Sequence, residues 1–247
     1  MPAEYVATAS SERGDVVLRQ RETDRALELR VNGVFVMDTM ETGTERLLAE
    51  LALGAATGST DAGAGNRNAM VPEGNERTPT MRGLTVLVGG LGLGVTLAAV
   101  LDDQRVGSVI VAEIEPSLVA WHRRGVIPDS GVGNARVDVR IGDVRDIVGG
   151  VTNHTLDVLL LDVDNGPDAL VYSGNAAVYG VGFLRTCRNA LREGGLLAIW
   201  SADCSPSLTR RIEDVFGRCD ERALPVRLGR RDTTYHLFLA IRESVCR

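Results

Sequence analysis

Val86-Leu-Val-Gly89-Gly90-Leu-Gly92-Leu-Gly94 decides how this chain is read. An apolar run without a charge enters a cluster of glycines, and an apolar, helix-compatible segment follows over residues 95–101. A strand that is apolar throughout has both faces buried, which is the condition of a parallel sheet covered by helices. Glycines at its end permit backbone angles closed to other residues and let a ligand approach the main chain. The spacing from Gly90 is G-x-G-x-G, and Val95 stands where the dinucleotide fingerprint would need another glycine. That favours a nucleoside over a pyrophosphate cofactor. Tight strand-to-helix packing is the other use of such a loop, and both readings stand at this point.

The same stretch answers a question about membranes. Residues 83–101 carry no charge and are long enough to suggest a spanning helix. The glycines cluster in the first half, however, so strand, turn and helix explain the segment better.

Downstream, apolar strands alternate with helical segments. Strands are predicted over 85–88, 108–113, 137–141, 156–162, 196–201 and 235–241. Helices are predicted over 95–101, 116–124, 181–191 and 208–216, the third ending at the stop signal Glu193-Gly194-Gly195. The fold class is α/β, a Rossmann-like, doubly wound, mostly parallel sheet. Upstream, residues 15–19, 26–31 and 34–38 read as strands, with Asn32-Gly33 as a hairpin signal between the last two, and a short helix follows over 45–53. The division is an N-terminal β unit over 1–53, a flexible loop or insertion over 54–82, and a nucleoside-binding catalytic domain over 83–247.

Composition narrows the chemistry. The chain of 247 residues has no lysine, so all 27 basic residues are arginine. Schiff-base, pyridoxal-phosphate and P-loop lysine chemistry from this chain are excluded. A net charge of −6 with no basic block speaks against nucleic acid and is compatible with cationic substrates. Cys187, Cys204, Cys219 and Cys246 are scattered without a CxxC pair, and His122, His154 and His236 lie far apart, so no metal site is expected. His122 reads as solvated, Trp200 and Tyr179 as packing residues, and 227–231 as a solvated turn. Ser201, Asp203 and Ser205 lack a nucleophile elbow. The N-terminus shows no signal-peptide pattern, and the expected location is cytoplasmic.

Three acids stand where strands end. Glu113 lies 19 residues after Gly94, a distance at which an acid can accept hydrogen bonds from ribose hydroxyls. Ile114, next to it, could pack on a base or in the core. Asp143 follows the strand over 137–141, placed for an exocyclic amine or for an ordinary turn. Asp162 ends the apolar run Leu159-Leu-Leu-Asp162-Val-Asp164-Asn165, at the ligand end of such a sheet.

These residues resemble a known family. Val86 to Gly94, Val111-Ala-Glu-Ile-Glu-Pro116, Gly142-Asp143, Leu161-Asp-Val-Asp-Asn-Gly-Pro167 and Ala190-Leu-Arg-Glu-Gly-Gly-Leu196 are similar to the spermidine synthases (polyamine aminopropyltransferases), within the class I S-adenosylmethionine-dependent methyltransferase fold. The resemblance implies that S-adenosylmethionine or its decarboxylated form is the donor, bound by Gly89, Gly90, Gly92, Gly94, Glu113, Ile114 and Asp143. It implies that Asp162 is catalytic and receives the amine proton, with Asp164 and Asn165 toward the substrate. It implies an aminopropyl-type transfer to a small amine acceptor, no metal, and a homodimer. The chain departs from the family in three places. Leu93 replaces a loop Asp that contacts the donor's aminoalkyl tail, Asn165 replaces the second Asp of the strand-end motif, and residues 36–45 lack the glutamine and Tyr-His pair of the amine pocket. A small-molecule methyltransferase and a non-catalytic nucleoside-binding relative are the alternatives.

Overall fold

The computed structural model describes residues 3–56, 82–228 and 231–243. Two sheets organise them. The N-terminal sheet is a meander of β1 (Ala3–Ser11), β2 (Gly14–Arg21), β3 (Leu27–Val31) and β4 (Val34–Asp38), antiparallel throughout. Asn32 and Gly33 both take positive φ, which is what a two-residue turn between twisted strands requires. β1 was not expected. It is a largely exposed edge strand, and without a buried face it has no alternating hydrophobic signature.

The second sheet has seven strands in the order β10-β11-β9-β8-β5-β6-β7. Its parallel part is β5 (Leu84–Gly89), β6 (Val106–Glu113), β7 (Val137–Ile141), β8 (Leu156–Leu161) and β9 (Leu191–Ser201). β10 (Asp220–Leu228) and β11 (Arg231–Ile241) close it as an antiparallel hairpin. The helices are α1 (Gly43–Ala55), α2 (Val95–Asp102), α3 (Pro116–Arg123), α4 (Val144–Gly149), α5 (Val181–Ala190) and α6 (Pro206–Phe216), with a 3-10 helix at Ser173–Tyr179. This is the doubly wound sheet that the alternation implies, with a small antiparallel unit before it.

Side-chain alternation explains why the central strands are apolar throughout. Leu87, Leu159 and Leu161 point into one core, with Leu184 of α5 and Ile212 of α6. Val86, Val88, Val158 and Leu160 point into the opposite core, with Leu48 and Ala52 of α1 and Leu97 of α2. The N-terminal sheet builds a third core, in which Val16, Leu18 and Leu29 meet Leu93 of the glycine loop and Leu118 and Trp121 of α3.

Several boundaries differ from expectation. α1, grouped by sequence with the N-terminal β unit, packs on the second sheet. Residues 54 and 55 of the expected loop are its last turn, and residues 57–81 lie outside the described residues. Glu193-Gly194-Gly195 does not end the helix over 181–191. α5 stops at Ala190, and the glycines form an irregularity inside β9, where register jumps from Leu191 to Leu196. The turn expected at 227–231 falls where the antiparallel β10 and β11 meet, the strands reaching as far as Leu228 and Arg231, and residues 229–230 lie outside the described residues. β10 escaped notice because it is a polar edge strand that tolerates Pro225.

Leu93 is 4% exposed, and its side chain belongs to the core under the N-terminal sheet. Leu93→Asp would bury an uncompensated charge there, and a loss of about 3–5 kcal/mol is expected in urea unfolding. Leu93→Met should cost less than about 1.5 kcal/mol. Equal losses for the two variants would contradict this placement.

Candidate functional site

The order of strands reverses between β5 and β8, and a pocket opens beyond their carboxyl ends, as expected at a switch point. Gly90, Gly92, Glu113, Ile114, Asp162, Asp164 and Asn165 all line it. Met37, Val36 and Leu29 of the N-terminal sheet, Glu45 of α1, Trp200 of β9 and Arg13 of the β1–β2 turn complete the wall. A smaller cavity beside it shares Gly90, Glu113 and Ile114 and adds Gly142 and Asp143.

The loop glycines divide by role. Gly90 has φ +90, and a Cβ there would stand 1.9 Å from the carbonyl oxygen of Asp162. Gly92 has φ +49 and leaves no room for a Cβ beneath the Met37 sulfur. Gly89 and Gly94 do not line the pocket. A Cβ on Gly89 would strike Val144 and Leu161, and one on Gly94 would strike Ser130, so these two serve packing. His122, expected to be solvated, is buried, and its Nε2 lies 2.9 Å from the Gly92 carbonyl. No sequence signal pointed to this, because the helix position of a histidine does not show which loop packs on it.

Glu113 is buried at the end of β6. One oxygen accepts the Leu91 N–H at 2.8 Å and the other the Glu115 N–H at 2.7 Å. Burial raises its carboxyl pKa, Glu115 adds repulsion, and the two backbone bonds oppose them. Each oxygen retains a lone pair for a further donor. Asp143 is engaged otherwise. It caps α4 by accepting the Arg145 N–H at 2.8 Å, and it pairs with the Arg145 guanidinium at 2.6 Å, which holds its carboxyl below the usual range. Asp164 is tied into its own loop by the backbone N–H groups of Asn165 and Val171 and by the Asn175 amide, each at 2.7 Å.

Asp162 accepts a hydrogen bond from the Thr96 hydroxyl of α2 at 2.8 Å, and burial pushes its carboxyl up. The residue that sequence reasoning missed is Glu45. It sits in the first turn of α1, 7% exposed, on the cavity wall. Trp200 Nε1 donates to the Thr44 hydroxyl at 3.1 Å, and that hydroxyl donates to Glu45 Oε2 at 2.9 Å. A usable signal existed. Glu45 precedes Leu48, Ala49 and Ala52 at helical spacing, so an acid stands on the helix's core-facing stripe. Trp200 both packs and lines the pocket, whereas Tyr179 is wholly buried. Among the described residues no group of three or more His, Cys, Asp or Glu could hold a metal ion, and no helix is long and apolar enough to cross a membrane.

No protein-family model matches the chain, and no curated protein matches it in sequence. Solved structures do. A spermidine synthase from Thermotoga maritima superposes with a TM-score of 0.72 at 16% identity, over 97% of this chain and 73% of that one. A spermidine synthase in complex with the transition-state analogue AdoDATO gives 0.73 at 17% identity, over 97% and 74%. A probable spermidine synthase from Corynebacterium glutamicum gives 0.63 at 19% identity, over 98% and 81%. The chain has the spermidine synthase fold, N-terminal sheet included.

Burial pushes the Glu45 carboxyl up to about 7, Asp162 and then Glu41 adding repulsion against the help of its own backbone N–H and the Thr44 hydroxyl. Between its ordinary value of 4.5 and about 7, the folded chain holds a proton that the unfolded chain has released. The contribution of this carboxyl to stability therefore falls as pH rises through that window. Glu45→Gln should match the wild type near pH 4 and exceed it by about 2 kcal/mol near pH 8. Urea unfolding at both pH values checks this, and a difference that does not change with pH would refute it.

Proposed function

We propose that this chain is a spermidine synthase-like transferase that binds S-adenosylmethionine or its decarboxylated form and transfers an aminopropyl-type group to a small amine. One observation carries the reading: the acids ending β6 and β8, Glu113 and Asp162, face one cavity across the bare backbone of Gly90. The likeness of the fold to that of spermidine synthases supports it.

The residues suit a nucleoside with a cationic tail. Glu113 has lone pairs available for vicinal ribose hydroxyls, and Ile114 offers an apolar face to the base beside it. The smaller cavity would take the base edge. Asp143 would meet an exocyclic amine there only by sharing the oxygens that now cap α4 and hold Arg145. Gly90 and Gly92 let the ligand pass close to the main chain toward Asp162. A sulfonium donor supplies an electrophilic carbon, whose bond to sulfur breaks with the electron pair going to sulfur. The task left to the protein is to align an amine with that carbon and to take its proton. Asp162 is suited to both, because burial has made its carboxylate more basic than usual and Thr96 fixes one oxygen. Alignment can supply several kcal/mol, and a positioned base contributes about 10²–10⁴-fold.

One observation favours a methyltransferase as the second reading. Leu93, where the family carries an acid toward the donor's tail, is buried under the N-terminal sheet and offers the tail nothing.

Calorimetric titration separates the two. Tighter binding of decarboxylated S-adenosylmethionine supports aminopropyl transfer, and tighter binding of the carboxylated form supports methyl transfer. Glu113→Gln should weaken either nucleoside by roughly tenfold to a hundredfold. Asp162→Asn should slow single-turnover transfer by about 10²–10⁴-fold with nucleoside affinity little changed. Unaltered chemistry in Asp162→Asn would remove that residue from the mechanism.

A further inference from the structure

We propose that Glu45 is the carboxylate that receives a primary alkylammonium group in this pocket, standing beyond Asp162 from the ribose side. The inference deepens the reading above and rests on it.

The first support is an unmet charge. Glu45 is more than nine-tenths buried and lines the cavity. Its Oε2 accepts from Thr44, its own backbone N–H also favours the carboxylate, and among the described residues no cationic side chain pairs with it. Four other buried acids are compensated by cations or N–H donors. Glu28 lies between Arg19 and Arg30, Asp38 pairs with Arg21, Asp157 pairs with Arg82 and Arg192, and Asp164 holds three N–H donors. A buried carboxylate without a counter-ion is costly unless a cation joins it. The missing cation would arrive with the ligand.

The second support is orientation. Trp200 Nε1 donates to the Thr44 oxygen, so the Thr44 hydroxyl hydrogen is directed at Glu45 Oε2. That chain fixes one oxygen of a carboxylate that lines the cavity. A conformation held through a neighbouring hydroxyl by an indole of another element is not that of a side chain wandering on a surface.

The third support is position. α1 packs against β8 and β9, on the far side of β5 from β6 and β7. A nucleoside held at Glu113 would therefore extend past Gly90 and Asp162 before it reached Glu45. Val36, Met37 and Trp200 supply an apolar wall there, which suits methylene groups. The glycine loop offers no acid for the ammonium, because Leu93 is turned into the N-terminal core. A metal ion is a poorer fit than an ammonium, since no third ligand joins the pair among the described residues.

The ammonium could belong to the donor's aminopropyl tail or to the acceptor amine, and one experiment distinguishes them. Three titrations are run on the wild-type chain and on Glu45→Gln: 5′-methylthioadenosine alone, decarboxylated S-adenosylmethionine alone, and 1,4-diaminobutane into protein saturated with 5′-methylthioadenosine. The first ligand lacks an ammonium group, so its affinity should be the same for both proteins, and this also certifies the fold of the variant. A loss of roughly tenfold to a hundredfold in Glu45→Gln is expected for at least one of the other two. Loss confined to decarboxylated S-adenosylmethionine assigns Glu45 to the donor tail, and loss confined to the diamine assigns it to the acceptor. If 5′-methylthioadenosine binds both proteins and neither cationic ligand is weakened, Glu45 has no such role. If the wild-type chain does not bind 5′-methylthioadenosine, the nucleoside reading itself fails and takes this inference with it.

Discussion

The constraint on which the site depends is the contact between two backbones at the switch point. Gly90 leaves β5 with positive φ, and the carbonyl of Asp162 at the end of β8 occupies the space where any side chain of residue 90 would be. Two hydrogen bonds hold this crossing, from the Gly90 N–H to Ala112 and from the Asp162 N–H to Gly89, each 2.8 Å. β6, β5 and β8 are thus pinned together at the point where their chain directions fan apart. Glu113 and Asp162 are brought to the same cavity by this pinning and not by any attraction between them, since two acids repel. Burial of these strands on both faces is what offsets that repulsion.

The N-terminal sheet converts that open crevice into a pocket. Leu93 anchors the glycine loop beneath β2 and β3, the Met37 sulfur rests on Gly92, and His122 holds the Gly92 carbonyl from the other side. A loop rich in glycine loses much conformational freedom on folding. Here the apolar cover and one buried imidazole supply the compensation. The same cover removes water from Glu45 and Asp162, so enclosure and carboxyl basicity have one cause. An exposed crevice would leave these acids as ordinary anions; the enclosed one makes their carboxylates more basic than usual, at some cost in stability.

What could be seen in the sequence follows from what each residue has to satisfy locally. The central strands were legible because burial on both faces leaves no polar position. Asn32-Gly33 was legible because only a few residues accept positive φ at both places. Asp162 and Glu113 were legible because an acid after an apolar strand has nowhere else to point. The misses have equally local reasons. β1 and β10 are edges, whose polar patterns resemble loops. His122 depends on a contact made across 30 residues, which helix periodicity does not encode. Glu45 was hidden in a different way: α1 was grouped with the β unit before it, so its acid was never set against the sheet on which the helix packs.

The acids of the pocket sort by what satisfies them. Glu113 and Asp164 receive backbone N–H groups, which cannot leave, so their geometry is settled by the fold. Asp162 and Glu45 each receive one side-chain hydroxyl, from Thr96 and Thr44, to which Glu45 adds its own backbone N–H, bonds strong enough to orient an oxygen and too weak to neutralise a charge. A site built this way has a rigid half and a half whose charge state responds to what enters. A neutral ligand meets two carboxyls competing for a proton, whereas a cation relieves both their mutual repulsion and their missing solvation. On the proposed reading, a preference for positive charge would begin with the energetics of these two carboxyls, before any contact specific to one ligand is made. The departures from the spermidine synthase pattern fall in the same half. Leu93, where the resemblance would place a loop acid, lies in the N-terminal core, whereas the first turn of α1 sets Glu45 on the cavity wall.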